Sequence, residues 1–257
     1  MSEPQLLNNV TDELKEKLHK CFSIGVFAGA GISAASKIAT FRGANSSYYF
    51  KGHNPVYLCS MDGLRQFPDI AWSYYLDLYN KASEAEPNVA HQCLAAWQKE
   101  AARRRIVKFY LLTSNFDGLL NKAGATATEL HNNIFEAICQ KCGKKKAMSE
   151  IAAESLPPKC ECGEMLLPSF TLLDGYINQN AYDEGITVSR SCWVYFVIGT
   201  SGVHNHPINF VQMLKMRGNI TFIEVNPRPS HLSQYMHYII RGNAEDILPQ
   251  FEYGQIN

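Results

Sequence analysis

The sequence predicts an α/β fold, a parallel sheet covered by helices on both faces, interrupted by one small inserted module. Three observations carry this. The runs Ile24 to Phe27, Ile106 to Leu112, Trp193 to Ile198 and Ile220 to Val225 are almost continuously apolar, as strands buried on both faces must be. Segments with apolar residues at helical spacing lie between them. Residues 137–167 break the alternation with Cys, Lys, Gly and Pro and no clear period, as a separate unit would. The expected division is an α/β domain of residues 1–136 and 168–257, with the insert at 137–167.

In chain order, Pro4 to Lys20 reads as a first helix, on Leu14 and Leu18 four positions apart. The first apolar run then ends in Ala28-Gly29-Ala30-Gly31. The clearest helix begins at Pro87-Asn88 and places Val89, Cys93, Leu94 and Trp97 on one face. His91 falls in it and reads as a packed or surface residue rather than a catalytic one. The remaining runs end in Thr113-Ser114-Asn115, Gly199-Thr200-Ser201 and Asn226. Ligands of open α/β sheets lie beyond the carboxyl ends of the strands, so these four polar clusters should converge on one crevice.

Composition narrows the function. With 257 residues, 46% hydrophobic and 19% charged, the chain can bury a real core. Twenty-four basic and twenty-four acidic side chains cancel, which disfavours a nucleic-acid partner held by phosphate contacts. The longest apolar stretch, Cys192 to Ile198, is far short of the roughly 20 residues that span a bilayer, so no membrane span is expected. The first twenty residues are polar and charged, unlike a targeting segment, so the expected location is cytoplasmic. Nothing in the chain indicates an oligomeric state.

Two motifs carry chemistry by themselves. Gly29-Ala30-Gly31-Ile32-Ser33-Ala34 follows a strand and fits G-x-G-x-x-A, the Rossmann-like turn whose missing side chains let backbone amides approach a pyrophosphate. No Asp or Glu follows Gly31 until Asp62, so a ribose would have to find partners other than the usual acid. In the insert, Cys139-x-x-Cys142, seventeen residues and Cys160-x-Cys162 supply the four thiolates of a tetrahedral structural zinc. In a reducing compartment such crowding points to metal and not to disulfides. The second pair has one intervening residue fewer than usual, which alters the knuckle that aims both sulfurs.

Residues Gly29 to Gly43, GAGISAASKIATFRG, resemble the first motif of the sirtuin family, approximately GAGIS-x-x-S-G-I-P-D-F-R. Four further stretches follow in family order. Thr113-Ser114-Asn115-Phe116-Asp117 resembles TQN-I/V-D, Glu129-Leu130-His131-Asn132 resembles E-x-H-G, Gly199-Thr200-Ser201 matches GTS, and Val225-Asn226 matches I/V-N. Gly242 to Phe251 looks like the family's closing segment. The resemblance implies an NAD-dependent protein-lysine deacylase, with NAD as co-substrate, structural zinc, and an acyl-lysine protein or peptide as partner. It implies that His131 is the catalytic base, a role suited to an imidazole near neutrality. It implies a cofactor site of Gly29, Ala30, Gly31, Ile32, Phe41, Arg42, Ser114, Asn115, Asp117, Gly199, Thr200, Ser201 and Asn226.

The departures are uneven. Lys37, Ala39 and Thr40 replace Gly, Pro and Asp of the first motif, Ser114 replaces a glutamine, and Asn132 a glycine. The family's P-x-V-V-x-F-G-E stands here as Pro168 to Gly175, PSFTLLDG, and the arm after GTS is irregular from Gly202 to Pro207. These two segments normally clamp the peptide as an added strand, so Leu173, Asp174, Gly202 and Val203 are the expected substrate contacts. Tyr75 to Leu78 keeps the tyrosine but lacks the arginine of enzymes that remove acidic acyl groups, so desuccinylation is not expected. The altered clamp keeps two other readings open: an NAD hydrolase or ADP-ribosyltransferase, and a non-catalytic sensor of NAD or ADP-ribose.

Overall fold

Seven parallel strands form the central sheet of the computed structural model, which describes residues 3–38, 49–105, 107–189, 191–203 and 205–254. The strands in chain order are β1 (Gln5–Leu7), β2 (Ser23–Ala28), β3 (Lys108–Thr113), β4 (Thr128–Glu129), β5 (Glu136–Cys139), β6 (Lys145–Ala147), β7 (Leu166–Pro168), β8 (Val194–Ile198), β9 (Thr221–Val225) and β10 (Tyr238–Ile240). The central sheet runs β1-β10-β9-β8-β2-β3-β4, and β6-β5-β7 make a separate antiparallel sheet. The helices are α1 (Asp12–Lys20), α2 (Pro55–Leu58), α3 (Met61–Gln66), α4 (Pro68–Glu84), α5 (Val89–Arg103), α6 (Leu119–Lys122), α7 (Gln179–Ser189), α8 (Asn205–Arg217) and α9 (Ala244–Ile247).

The four apolar runs are the four adjacent strands β3-β2-β8-β9; Ile106, at the start of the second run, lies outside the described residues. Their side chains alternate between two cores. Val26, Phe196 and Val225 face the cluster closed by α1, α5 and α9, while Phe27, Val197 and Phe222 face the cluster closed by α7 and α8. From β2 the chain moves outward to β3 and β4, then returns to the other side of β2 as β8, β9 and β10. The strand order therefore reverses between β2 and β8, and a crevice opens at that switch point.

One expected element is corrected. Pro4 to Lys20 is not a single helix: Gln5–Leu7 pairs in parallel with Tyr238–Ile240 as an edge strand. The helix starts at Asp12, where the Thr11 hydroxyl accepts from Leu14 N–H at 3.4 Å. A nine-residue helix is too short to persist alone, so α1 depends on burying Leu14 and Leu18, both fully buried.

A third core lies apart from the sheet. Leu58, Trp72 and Tyr75 from α2–α4 pack against Ile134, Ala137, Met148, Leu166 and Phe170. A three-stranded sheet of this size cannot bury a core by itself, and the helices preceding α5 supply its other half. Among the described residues no helix is long and apolar enough to cross a membrane.

Candidate active site

A crevice of about 680 Å³ lies at the carboxyl ends of β2 and β8. Its floor is two crossing segments that hydrogen-bond to each other through backbone groups. Gly31 N–H donates to Gly199 O at 2.7 Å, and Gly29 N–H donates to Ile198 O at 2.8 Å. A Cβ on Gly31 would stand 2.7 Å from Gly199 O; one on Gly199, at φ +61°, would stand 2.7 Å from Ile32 N. No larger residue fits at either position. Ala30, Gly31, Gly199, Thr200 and Ser201 line the crevice, with Gly29 and Ile32 buried behind them. Asn226 lines it beyond β9, its amide oriented by donation from Nδ2 to Thr200 O at 2.8 Å. Phe41 and Arg42, with Ala39 and Thr40, lie outside the described residues.

The polar end is organised by Ser33, which is fully buried on the 3-10 helix Ala30–Ser36. Its hydroxyl donates to Asp117 Oδ2 at 2.7 Å and accepts from Asn115 Nδ2 at 3.1 Å. The third contact is His91 Nε2 at 3.3 Å. Asn88 N–H donates to His91 Nδ1 at 3.2 Å, which places the imidazole proton on Nε2 and makes it the donor to Ser33. Burial pushes the pKa of His91 down to about 4, so the ring is neutral. One hydroxyl donor and two accepted bonds saturate Ser33.

Asn115 and Asp117 are both buried and line the crevice. Burial raises the Asp117 carboxyl above its usual range, opposed by bonds from Ser33 and from Leu119 N–H at 3.0 Å. Asn115 Oδ1 is buried and finds no donor among the described residues. Ser114 lines the same wall. His131 lies opposite, with its ring centroid 6.2 Å from that of His206. Asn132, after it, adopts φ +53°, the left-handed conformation asparagine tolerates.

The segment expected to clamp a peptide is a turn. Leu173 N–H donates to Cys59 O and Gly175 N–H to Leu172 O, both at 2.8 Å. Leu173 and Gly175 line the crevice, whereas Asp174 turns away and accepts from Met61 N–H at 2.8 and 3.1 Å, at the start of α3. Gly202 is buried and Val203 exposed, and neither lines the crevice. Tyr75 is fully buried in α4 and donates from Oη to Leu58 O at 2.6 Å, so its hydroxyl is engaged away from the site.

Cys139, Cys142, Cys160 and Cys162 bring their sulfurs within 4.8 Å of one another. The pairs Cys139–Cys162 and Cys142–Cys160 stand at 3.5 Å, close to the ~3.8 Å edge of a tetrahedron with Zn–S of ~2.3 Å. The backbone N–H groups of Cys142 and Lys141 hold the Cys139 thiol down to about 7. The two knuckles close differently. Gly143 N–H reaches back to Cys139 O and Gly163 N–H to Cys160 O, each at 2.9 Å. The glycines, at φ +71° and +85°, let the shorter C-x-C pair turn as tightly as the longer one.

Sequence reasoning missed Ser33 as the hub, and with it the part played by His91. The spacing Asn88-x-x-His91, a capping box in the structure, was the available signal. It also missed Phe116, Cys59 and Arg228, crevice walls with no local signature.

The Sir2 family profile matches residues 29–205. The chain is 32% identical over 232 residues to an NAD-dependent protein deacylase of Mycobacterium tuberculosis, covering 88% of this chain and 94% of that one. It is 32% identical over 233 residues to an NAD-dependent protein deacylase of Thermococcus kodakarensis, covering 87% of each. Among solved structures, a Sir2 homolog bound to NAD superposes with a TM-score of 0.85 at 26% identity, covering 98% of this chain and 94% of the other.

Proposed function

The chain belongs to the Sir2 family, and from that premise we propose that it is an NAD-dependent protein-lysine deacylase that transfers the acyl group to ADP-ribose and releases nicotinamide. One observation carries the reading: a backbone-only glycine cradle, the unsatisfied Asn115 Oδ1 and the imidazole of His131 face one crevice. The cradle, bare of side chains, leaves a pyrophosphate room to approach the backbone, and Asn115 offers a nicotinamide or ribose donor its missing acceptor. Bound NAD supplies a ribose whose bond to nicotinamide breaks, so that the acyl oxygen can be captured there.

The chain's own groups do the rest. Gly29 to Ile32 and Gly199 to Ser201 hold the pyrophosphate, Ser114, Asn115 and Asp117 the nicotinamide ribose, and Asn226 the adenosine. Phe41 and Arg42 complete this set. Ser33 fixes the rotamers of Asn115 and Asp117. His131 is the base that takes a ribose hydroxyl proton. Leu173 and Asp174 on one side, Gly202 and Val203 on the other, flank the acyl-lysine entry. Zinc on Cys139, Cys142, Cys160 and Cys162 is structural and holds residues 137–167 as an inserted module of the α/β domain. We place the enzyme in the cytoplasm, where its cysteines remain reduced.

A second reading, NAD hydrolysis or ADP-ribosyl transfer, is favoured by the Leu173–Gly175 turn, in which the Leu173 and Gly175 N–H groups are already used internally. The test is incubation with NAD, with and without an acetyl-lysine peptide, following nicotinamide and O-acyl-ADP-ribose. Peptide-dependent release supports the deacylase; peptide-independent release selects the second reading; no release overturns both.

A further inference from the structure

The two ends of the crevice differ in charge. Toward β3 stand the Asp117 carboxylate and the two imidazoles, whereas beyond the glycine crossing the walls are Val225 to Pro229 and Asn243. Arg228 is the one permanent cation among the described residues lining the crevice. The acid nearest in sequence, Glu224, is fully buried; it accepts from the Ser230 and Ser233 hydroxyls and pairs with Arg241 at 3.5 Å. Its carboxylate is thereby committed away from the crevice.

The backbone that carries Arg228 is held from behind and from both sides. Arg241 Nη1 donates to Asn226 O at 3.2 Å and to Arg228 O at 3.0 Å. Pro227 and Pro229 flank it, and a residue before proline is confined to extended conformations. The guanidinium is presented on a stiff loop, so little backbone entropy is lost when it engages a ligand.

A dinucleotide with its pyrophosphate on Gly29 to Gly31 and its nicotinamide toward Asn115 and His131 places its adenosine ribose at this end. Dinucleotide sites read that ribose by charge: an acid accepts from a free 2′-hydroxyl, and an arginine accommodates a 2′-phosphate. Resting on the NAD reading above, we infer that Arg228 recognises a 2′-phosphate on the adenosine ribose, so that NADP as well as NAD occupies this crevice. The planar fork of a guanidinium matches the oxygens of a phosphate monoester.

The experiment is calorimetric titration of the full-length protein with NAD, NADP, ADP and adenosine 2′,5′-bisphosphate, repeated on Arg228→Gln and Arg228→Lys. The expected result is NADP affinity within about tenfold of NAD, and an NADP-to-NAD ratio of dissociation constants that rises about 10- to 100-fold in Arg228→Gln, the range for charge-assisted hydrogen bonds. Arg228→Lys should recover part of that ratio. Wild-type NADP binding a hundredfold or more weaker than NAD would overturn the inference. So would an unchanged ratio in Arg228→Gln, as adenine stacking by Arg228 would give. Failure of NAD itself to bind would sink the NAD reading; the preference for the bisphosphate over ADP then decides the role of Arg228, supporting it if lost in Arg228→Gln and overturning it if absent in the wild type.

Discussion

A single hydroxyl, that of Ser33, joins a helix cap to the groups that face the crevice. Replacing it with alanine leaves the His91 Nε2 donor, the Asn115 amide and the Asp117 carboxylate each short of a partner. Such a loss costs about 1–3 kcal/mol per buried group. Ser33→Ala is expected to lower urea-unfolding stability by at least that much and to raise KM for NAD, because Asn115 and Asp117 lose the contact that sets their rotamers; unchanged KM would detach the network from the site. His91 adds a pH dependence. Its folded pKa, about 4, lies below the ordinary 6.5, so the unfolded chain binds a proton that the folded one refuses. The stabilisation is full above about pH 6.5 and is lost as pH falls toward 4, up to ~3 kcal/mol from this group. Stability measured from about pH 7 to pH 5 should decline less steeply in His91→Gln than in the wild type; parallel curves would remove His91 as the source. On the proposed reading, His131→Ala should abolish acyl transfer while NAD still binds, since the imidazole acts on the ribose and not on the pyrophosphate.

At the scale of elements, two units invite tests. If the insert holds zinc on its four cysteines, elemental analysis should find about one per chain, and strong chelation should lower Tm. Because the insert shares its core with α2–α4, the chelated protein should also expose Trp72 to fluorescence quenchers; an unquenched, equally stable metal-free protein would refute the coupling. The Leu173–Gly175 turn is the other. Strand addition there requires Leu173 N–H to leave Cys59 O and Asp174 to leave Met61 N–H. Replacing Leu173-Asp174-Gly175 by Phe-Gly-Glu should lower KM for an acetylated peptide with kcat little changed, the pattern of gained uniform binding. Steady-state kinetics on both proteins decides, and equal KM values would show that this turn does not limit peptide access.

For the whole molecule, the central strands were legible because burial on both faces leaves continuous apolar runs, and the polar ends of those runs meet at the switch point. The motif order from Gly29 to Asn226 pointed in the same way to residues that line the crevice, among them Gly31, Asn115, Asp117, His131, Gly199 and Asn226. What stayed hidden depends on distant pairing. Gln5–Leu7 is a strand only because β10 lies beside it, and nothing local marks it. Asp174 meets Met61 across 113 positions, so its role in closing the turn has no trace in its own neighbourhood. The capping-box pairing of Asn88 with His91 could be read locally, but not the Ser33 hydroxyl that it serves.

The third core is stitched from two excursions of the chain, one leaving after β2 and one after β4, and this constrains the order in which the protein can be made. Tyr75 packs edge-on against Phe170 with centroids 5.3 Å apart, yet the two are separated by about 95 positions. At synthesis rates of about 5–20 residues per second, α4 leaves the ribosome roughly 5–20 s before its partner exists. Through that interval Tyr75 lacks its Phe170 cover, so a nascent chain stalled between α4 and Phe170 presents an aromatic surface to chaperones, and the finished fold conceals it.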